Sequence, residues 1–250
     1  MALFISVISH NHDDMIVENP TLKNLAHDYT VILKANTPAK QILRNYCEGA
    51  GIILLQGNKK KGFGANNNEV FNYAKTQLNM QNSDYFLVLN PDVTVTLESI
   101  RSLMTVVQEE QYPISTINLY RDKEMRVYDN SIRRFPSPLN PIKTLLRLKR
   151  TDHYDKNSIH KPIAVDWAAG SLLLFNSGVY EELNGFDERY FMYFEDVDIC
   201  MRGKSRKYHT YYIPKIYAIH KGGFKNRKIL SKNFTIYLTS FITFTLKYFH

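Results

Sequence analysis

Cysteine is scarce in this 250-residue chain: Cys47 and Cys200 stand far apart and show no Cys-x-x-Cys spacing. That argues against a disulfide framework and a cysteine zinc site, and reduced thiols are expected. No apolar run reaches the roughly 20 residues that a membrane-spanning helix needs. The first residues, MALFISVISH, lack the basic start and small-residue cleavage site of a secretory signal, so they read as a first strand and a cytoplasmic location is expected. Acid is missing from the last fifth. Met201 to His250 holds eleven Lys and Arg and no Asp or Glu, so this block carries the whole net charge of +8. Such an asymmetry points to an anionic partner: nucleic acid, an anionic membrane surface or a phosphorylated substrate. Internal repeats and low-complexity tracts are absent as well.

What is present is an ordinary globular composition, 44% hydrophobic and 22% charged, which excludes disordered and fibrous classes. Phe4 to Ser9, Tyr29 to Leu33, Ile52 to Leu55 and Tyr85 to Leu89 are short β-rich apolar runs. Helix-like stretches at 39–47 and 66–77 separate them, and a further helix is expected over 97–110. The alternation predicts an α/β fold, a mostly parallel sheet flanked by helices, with ligands at the carboxyl ends of its strands. Residues 120–162, rich in Arg, Lys, Asn and Pro and poor in periodicity, read as a variable insertion or mobile loop. IAVDWAAGSLLLF resumes regular structure, with Gly170 allowing a close approach. The aromatic and aliphatic stripe of NFTIYLTSFITFTLKYF predicts a C-terminal helix over about 226–250 that packs on the core or touches a membrane.

Three stretches carry chemistry. LVLNPDV places Asp92 just past a central strand, where an α/β sheet binds its ligand, and Pro91 fixes the turn. KKKGFGANNN leads into a helix with two glycines and free amides that suit an anion; it is neither a Walker loop nor a dinucleotide fingerprint. NGFDERYFMYFEDVDICMR sets Glu195, Asp196 and Asp198 among aromatic residues. A carboxylate held there is desolvated and becomes a stronger proton acceptor. His220, after a predicted strand, offers a nitrogen donor to a divalent metal.

In this order, SVISHN, GFGANNN, LNPDV, VDWAAGSLLLFN, GFDERYFMYFEDVDICMR and a final His resemble the inverting nucleotide-sugar glycosyltransferases of family two. The resemblance covers about residues 3 to 225 and points to the rhamnosyltransferase-like enzymes of bacterial O-antigen and capsule synthesis. It implies a GT-A fold over 1–225, a Mn²⁺ or Mg²⁺ cofactor, a nucleotide-sugar donor with dTDP-rhamnose favoured, and a lipid-linked saccharide acceptor at the inner face of the cytoplasmic membrane. A UDP-hexose or UDP-galactofuranose donor stays open, as does the oligomeric state.

The resemblance also implies roles. Asp196 is the catalytic base, and Trp167, Gly170 and Glu195 meet the acceptor. Ser9, Asn11, Asn36, Gly62, Gly64, Asn68, Asn90 and Asp92 bind the donor. Asp92 and His220 hold the metal, and Arg202 and His220 face the diphosphate. Three positions depart from the pattern: Asn90 replaces the first Asp of the Asp-x-Asp motif, Ala35-Asn36 stands where Asp-Asn is usual, and the serine often found shortly after the final His is absent, since HKGGF continues into KNRK. A nucleic-acid-binding module is the rival from another class, but it leaves Asp92 and the acid cluster without a role. A nucleotidyltransferase would need a basic Gly-rich loop where SHNHDD stands.

Overall fold

A computed structural model describes residues 1–57, 59–137, 152–222 and 232–249. Eleven strands are named within these residues: β1 Leu3–Ser9, β2 Thr30–Ala35, β3 Ile53–Gln56, β4 Tyr85–Leu89, β5 Val93–Thr94, β6 Ile114–Tyr120, β7 Ile132–Arg133, β8 Ile163–Val165, β9 Trp167–Ala168, β10 Leu172–Asn176 and β11 Thr210–His220. Nine of them form one sheet in the order β3-β2-β1-β4-β10-β6-β11-β5, with β8 also on β11. β3, β2, β1, β4, β6 and β11 share one direction; β10, β5 and β8 oppose it. The expected parallel architecture is therefore present, with β10 inserted antiparallel between β4 and β6.

Both faces of the sheet are covered, which is why β1, β4 and β10 read as unbroken apolar runs rather than as alternations. On one face lie α1 Asp13–Glu18, α2 Thr21–Leu25, α3 Gln41–Ala50 and α5 Leu97–Glu110. In α5 the spacing of Ile100, Leu103, Met104 and Val107 turns one apolar stripe inward, and the Thr96 side chain caps its start by accepting from Ser99 N–H at 3.0 Å. On the other face lie α4 Phe63–Gln77, the short helix Ser177–Glu182 and the helix Glu195–Ser205.

The C-terminal helix Lys232–Tyr248 packs by one face on residues 190–197, where Phe194, Val197 and a fully buried Phe244 form a small third core. Its ties are polar as well. Ser240 Oγ donates to Met192 O at 2.9 Å, and Lys247 Nζ reaches Asp198 at 2.5 Å and Asp187 at 2.8 Å. The expected 120–162 insertion is partly regular: β7 pairs β9, and Tyr128 bridges to Tyr120 at the end of β6. Its residues 138–151 lie outside the described residues, as do Lys225, Arg227 and Lys228 of the basic tail. No helix among the described residues is long and apolar enough to cross a membrane.

Candidate active site

The carboxyl ends of β1, β2, β4 and β11 open on one cleft of about 780 Å³. Strand direction alone brings Asn36, the Asn90–Asp92 loop and His220 to it from three places far apart in sequence, as a parallel sheet does. The entry of β10 adds Gly170 to the floor, and the segment Phe191–Asp196 forms the facing wall.

Asp196 sits half-buried on that floor. Gly170 N–H donates to its Oδ2 at 3.1 Å and Val197 N–H to its Oδ1 at 2.9 Å. Burial raises its pKa, and the two backbone donors and the charge of Arg133 only partly offset this. Glu195 beside it is 5% exposed, its Oε2 without a hydrogen-bond partner. Burial, and then the neighbouring Asp196, raises its carboxyl well above the ordinary range. The two acids thus differ: one is held by amides at the floor, and burial of the other favours its protonated form. Asp198, fully buried, is a structural anchor that accepts from Arg202 Nε at 2.7 Å, Tyr248 OH at 2.7 Å and Lys247.

Tyr193 and Phe194, immediately before these acids, have φ of 71° and 68°, a left-handed conformation that costs a side-chain-bearing residue energy. Packing holds it: Phe194 lies among Tyr237, Phe241 and Phe244, and Tyr193 meets Tyr237 edge-on. The turn aims the first turn of the 195–205 helix, with its acids, into the cleft. That location also matches negative side chains to the helix dipole.

Across the cleft, His220 Nε2 lies 3.4 Å from Asp92 Oδ1, and His220 Nδ1 lies 3.0 Å from Asp129 Oδ2. Burial by itself would lower the imidazole pKa, but the hydrogen bonds and charges of the two carboxylates raise it to about 9. Burial likewise opposes ionisation of Asp92 and Asp129, and His220 reverses that and holds both below the ordinary range. The metal-free group is therefore an imidazolium between two carboxylates.

Several residues expected in the cleft stand elsewhere. Asn68 accepts from Tyr180 OH at 2.7 Å and Phe186 N–H at 2.9 Å and donates to Phe186 O, clamping α4 to the loop before the acids. Arg202, expected at the diphosphate, binds Asp198 and the carbonyls of Leu183 and Gly185. Ser9 is fully buried and donates to Asp13 at 3.0 Å. Asn11 is an exposed left-handed residue whose N–H binds Thr37, and Trp167 donates its indole N–H to Arg134 O at 2.9 Å. None of these five lines the cleft.

Asn36 does line it, but its amide is spent on the backbone of Lys61, donating at 2.9 Å and accepting at 2.9 Å. Gly62 and Gly64 are needed for close packing rather than for cradling an anion. A Cβ at Gly62 would lie 2.5 Å from Phe191 O, and one at Gly64 2.7 Å from Phe186 Cβ.

Other cleft residues went unassigned in the sequence reading. Asn66 lines it and donates to Gly62 O at 2.8 Å. His10, whose buried Nδ1 lacks a hydrogen-bond partner, is held neutral by burial and then by Lys60. Ile236 reaches the rim from the C-terminal helix, and Asp129 stands behind His220. The SHNH sequence after β1 was a usable signal for His10. Asp129 carried no local signal.

The family model of glycosyl transferase family 2 matches residues 9–175, and the chain belongs to this family of glycosyltransferases. It is 34% identical over 244 residues to the rhamnosyltransferase WbbL of Escherichia coli K12, covering 95% of this chain and 90% of WbbL. Over 151 residues, 55% of this chain and 47% of its relative, it is 31% identical to an N-acetylglucosaminyl-diphospho-decaprenol L-rhamnosyltransferase of Mycobacterium tuberculosis. The fold is that of S. aureus TarS (TM-score 0.59, 12% identity, 89% of this chain and 37% of TarS). It is also that of GalNAc-T7, solved with UDP, GalNAc and Mn²⁺ (TM-score 0.56, 13% identity, 88% of this chain and 44% of that one). The chain spans less than two thirds of both solved structures.

Proposed function

We propose that the protein is an inverting transferase that moves rhamnose from dTDP-rhamnose to a hydroxyl of a lipid-linked saccharide during surface polysaccharide synthesis. The observation that carries the reading is one cleft with two opposed ends: Asp196 on the floor under an aromatic wall, and the Asp92–His220 pair at the strand ends. Similarity to WbbL along 95% of the chain supports the sugar.

In this mechanism Asp196 takes the proton of the acceptor hydroxyl as that oxygen attacks the anomeric carbon. The bond from that carbon to the diphosphate oxygen breaks on the opposite side, the electron pair leaves with the nucleoside diphosphate, and the configuration inverts. Gly170 N–H and Val197 N–H orient the carboxylate for the incoming hydroxyl. Phe191, Met192 and Tyr193 exclude water and offer a sugar an apolar surface. Lys60 supplies positive charge on the donor side.

A divalent cation fits the same place. Among the described residues no group of three His, Cys, Asp or Glu could hold one by itself. Asp92 and His220 provide two donors, however, and the buried Asp92 Oδ1 has no polar partner closer than His220 Nε2 at 3.4 Å. Mn²⁺ or Mg²⁺ would be held by these two residues and would stabilise charge on the departing diphosphate.

Peripheral attachment to the inner face of the cytoplasmic membrane fits the last helix. Phe234, Leu238, Ile242 and Leu246 are exposed at four-residue spacing on its outer side, in a fifth of the chain free of acid.

A screen of nucleotide sugars by thermal shift and nucleotide release, with and without Mn²⁺ or Mg²⁺, tests the reading. Stabilisation by dTDP-rhamnose in the presence of metal is the expected result. Response to a UDP-hexose or UDP-galactofuranose alone would reassign the donor, and no response to any sugar nucleotide would overturn the function.

A further inference from the structure

Asp129 belongs to no motif and to no expected site, yet it touches His220 at the head of the cleft. It lies in the 120–162 segment and reaches its place through a short hairpin off the end of β6. Arg121 N–H donates to Val127 O at 2.9 Å, Asp129 N–H donates to Leu119 O at 2.8 Å, and the rings of Tyr120 and Tyr128 stack at 4.9 Å between centroids. Two residues on, Ser131 O accepts from Ala169 N–H at 2.8 Å, next to the Gly170 that binds Asp196. The backbone around Asp129 is thus fixed on both sides, and its residue is 7% exposed.

Its carboxylate meets His220 at Nδ1, at 3.0 Å, while Nε2 faces Asp92. The two ring nitrogens point away from one another, so a cation held at Nε2 is out of reach of Asp129. Asp129 is therefore not a ligand. A carboxylate on Nδ1–H does three things for the ring: it fixes which nitrogen carries the proton, it prevents the ring flip that would present carbon to the cleft, and it makes Nε2 a better donor. Arg121 Nε lies 3.9 Å from the same carboxylate oxygen.

We infer that Asp129 is the positioning residue that orients His220 Nε2 toward the donor diphosphate and its divalent cation. The inference rests on the reading of His220 as a donor-side ligand, and it makes the segment 120–137 a working part of the site.

The test is Mn²⁺ affinity of the full chain in the presence of dTDP or UDP, read from the free-ion electron paramagnetic resonance signal, for Asp129→Ala, Asp129→Asn and His220→Ala, each checked by melting temperature. Asp129→Ala is expected to weaken Mn²⁺ by about 10- to 100-fold, the range found when such supporting partners are removed. Asp129→Asn, which keeps an oxygen that can accept Nδ1–H, should recover most of that loss at an equal melting temperature. If Asp129→Ala folds poorly, the comparison of Asp129→Asn with His220→Ala carries the test: near wild-type affinity in the first and a large loss in the second support the role. Affinity within two-fold of wild type in Asp129→Ala, with His220→Ala impaired, would overturn the role of Asp129 alone. Unchanged affinity in every variant would remove His220 from the metal site and the inference with it.

Discussion

The cleft has two walls. On the strand-end wall the side chains nearest the opening are polar and already committed: Asn36 to the Lys61 backbone, Asn66 to Gly62 O, and His220 between Asp92 and Asp129. On the facing wall Phe191, Met192, Tyr193 and Ile236 line the space, and their arrangement depends on a helix that starts nearly forty residues after the acids they flank. The first wall is fixed by hydrogen bonds that tie different loops together, Asn36 to Lys61 and His220 to Asp129. The second is fixed by packing, and it keeps Tyr193 and Phe194 in a backbone conformation they would not adopt alone. One wall therefore tolerates loss of apolar volume and fails by loss of charge; the other does the reverse.

The largest expected effect lies where the two walls meet. Asp196→Asn keeps the side-chain shape and an acceptor for one of the two backbone N–H groups but cannot take a proton, so turnover should fall by about 10²- to 10⁴-fold in a variant that still folds. Steady-state transfer kinetics measure this, and near-normal turnover in the folded variant would end the assignment of the base. Because burial raises the Asp196 pKa, the wild-type rate should be lost as pH falls through that raised value, above the ordinary aspartate range.

Removing volume from the aromatic wall should come next. Phe244 is fully buried between Phe194 and Tyr248, so Phe244→Ala is expected to cost about 3–5 kcal/mol. Denaturant unfolding reads it. If the two walls differ as described, substrate turnover collapses in this variant while nucleoside diphosphate still binds.

Glu195 sharpens the comparison, since it is the buried acid that follows the aromatic wall in sequence. Its folded pKa is raised, so the folded state prefers the proton. The associated stability is present below the unfolded value and lost as pH rises through the folded one. At neutral pH Glu195→Gln should melt higher by about 2–4 °C, the change that about 1 kcal/mol makes in a chain of this size. The advantage should vanish as pH approaches the ordinary glutamate range. A difference that stays constant with pH would mean that burial of the charge is not its source.

The same contrast explains what could be read before the fold was known. Strand-end residues are local to apolar runs, so Asn90, Asp92 and His220 were legible from position alone, and so was the acid cluster amid aromatics. Phase within a helix was legible too but went unused. Arg202 lies six residues beyond Asp196, about 120° round the helix from it, whereas it lies four beyond Asp198, the spacing at which helical side chains meet. Within Asn66-Asn67-Asn68 the same rotation sends three identical side chains to three places: the cleft loop, Ser6 in the sheet, and Phe186. Asp129 was not legible, because its partner is 91 residues away and its segment has no periodicity to place it. The double left-handed turn at Tyr193 and Phe194 was hidden for the same reason: the packing that permits it comes from the C-terminal helix.

That helix also supplies the smallest expected effect. Its inner face, through Ser240, Phe244, Lys247 and Tyr248, holds the aromatic wall, while Leu238 and Leu246 are 44% and 56% exposed on the other side. Replacing both with Ser removes no core contact, so stability should change by less than about 0.5 kcal/mol per site. If the outer side touches lipid, the same double variant should be retained less well by liposomes of anionic lipid at low salt, because each leucine gives up apolar area that the headgroup boundary would bury. Turnover on a short water-soluble acceptor should stay unchanged, since neither residue lines the cleft. Equal retention of variant and wild type would leave the outer face without a lipid contact and confine the helix to holding the aromatic wall.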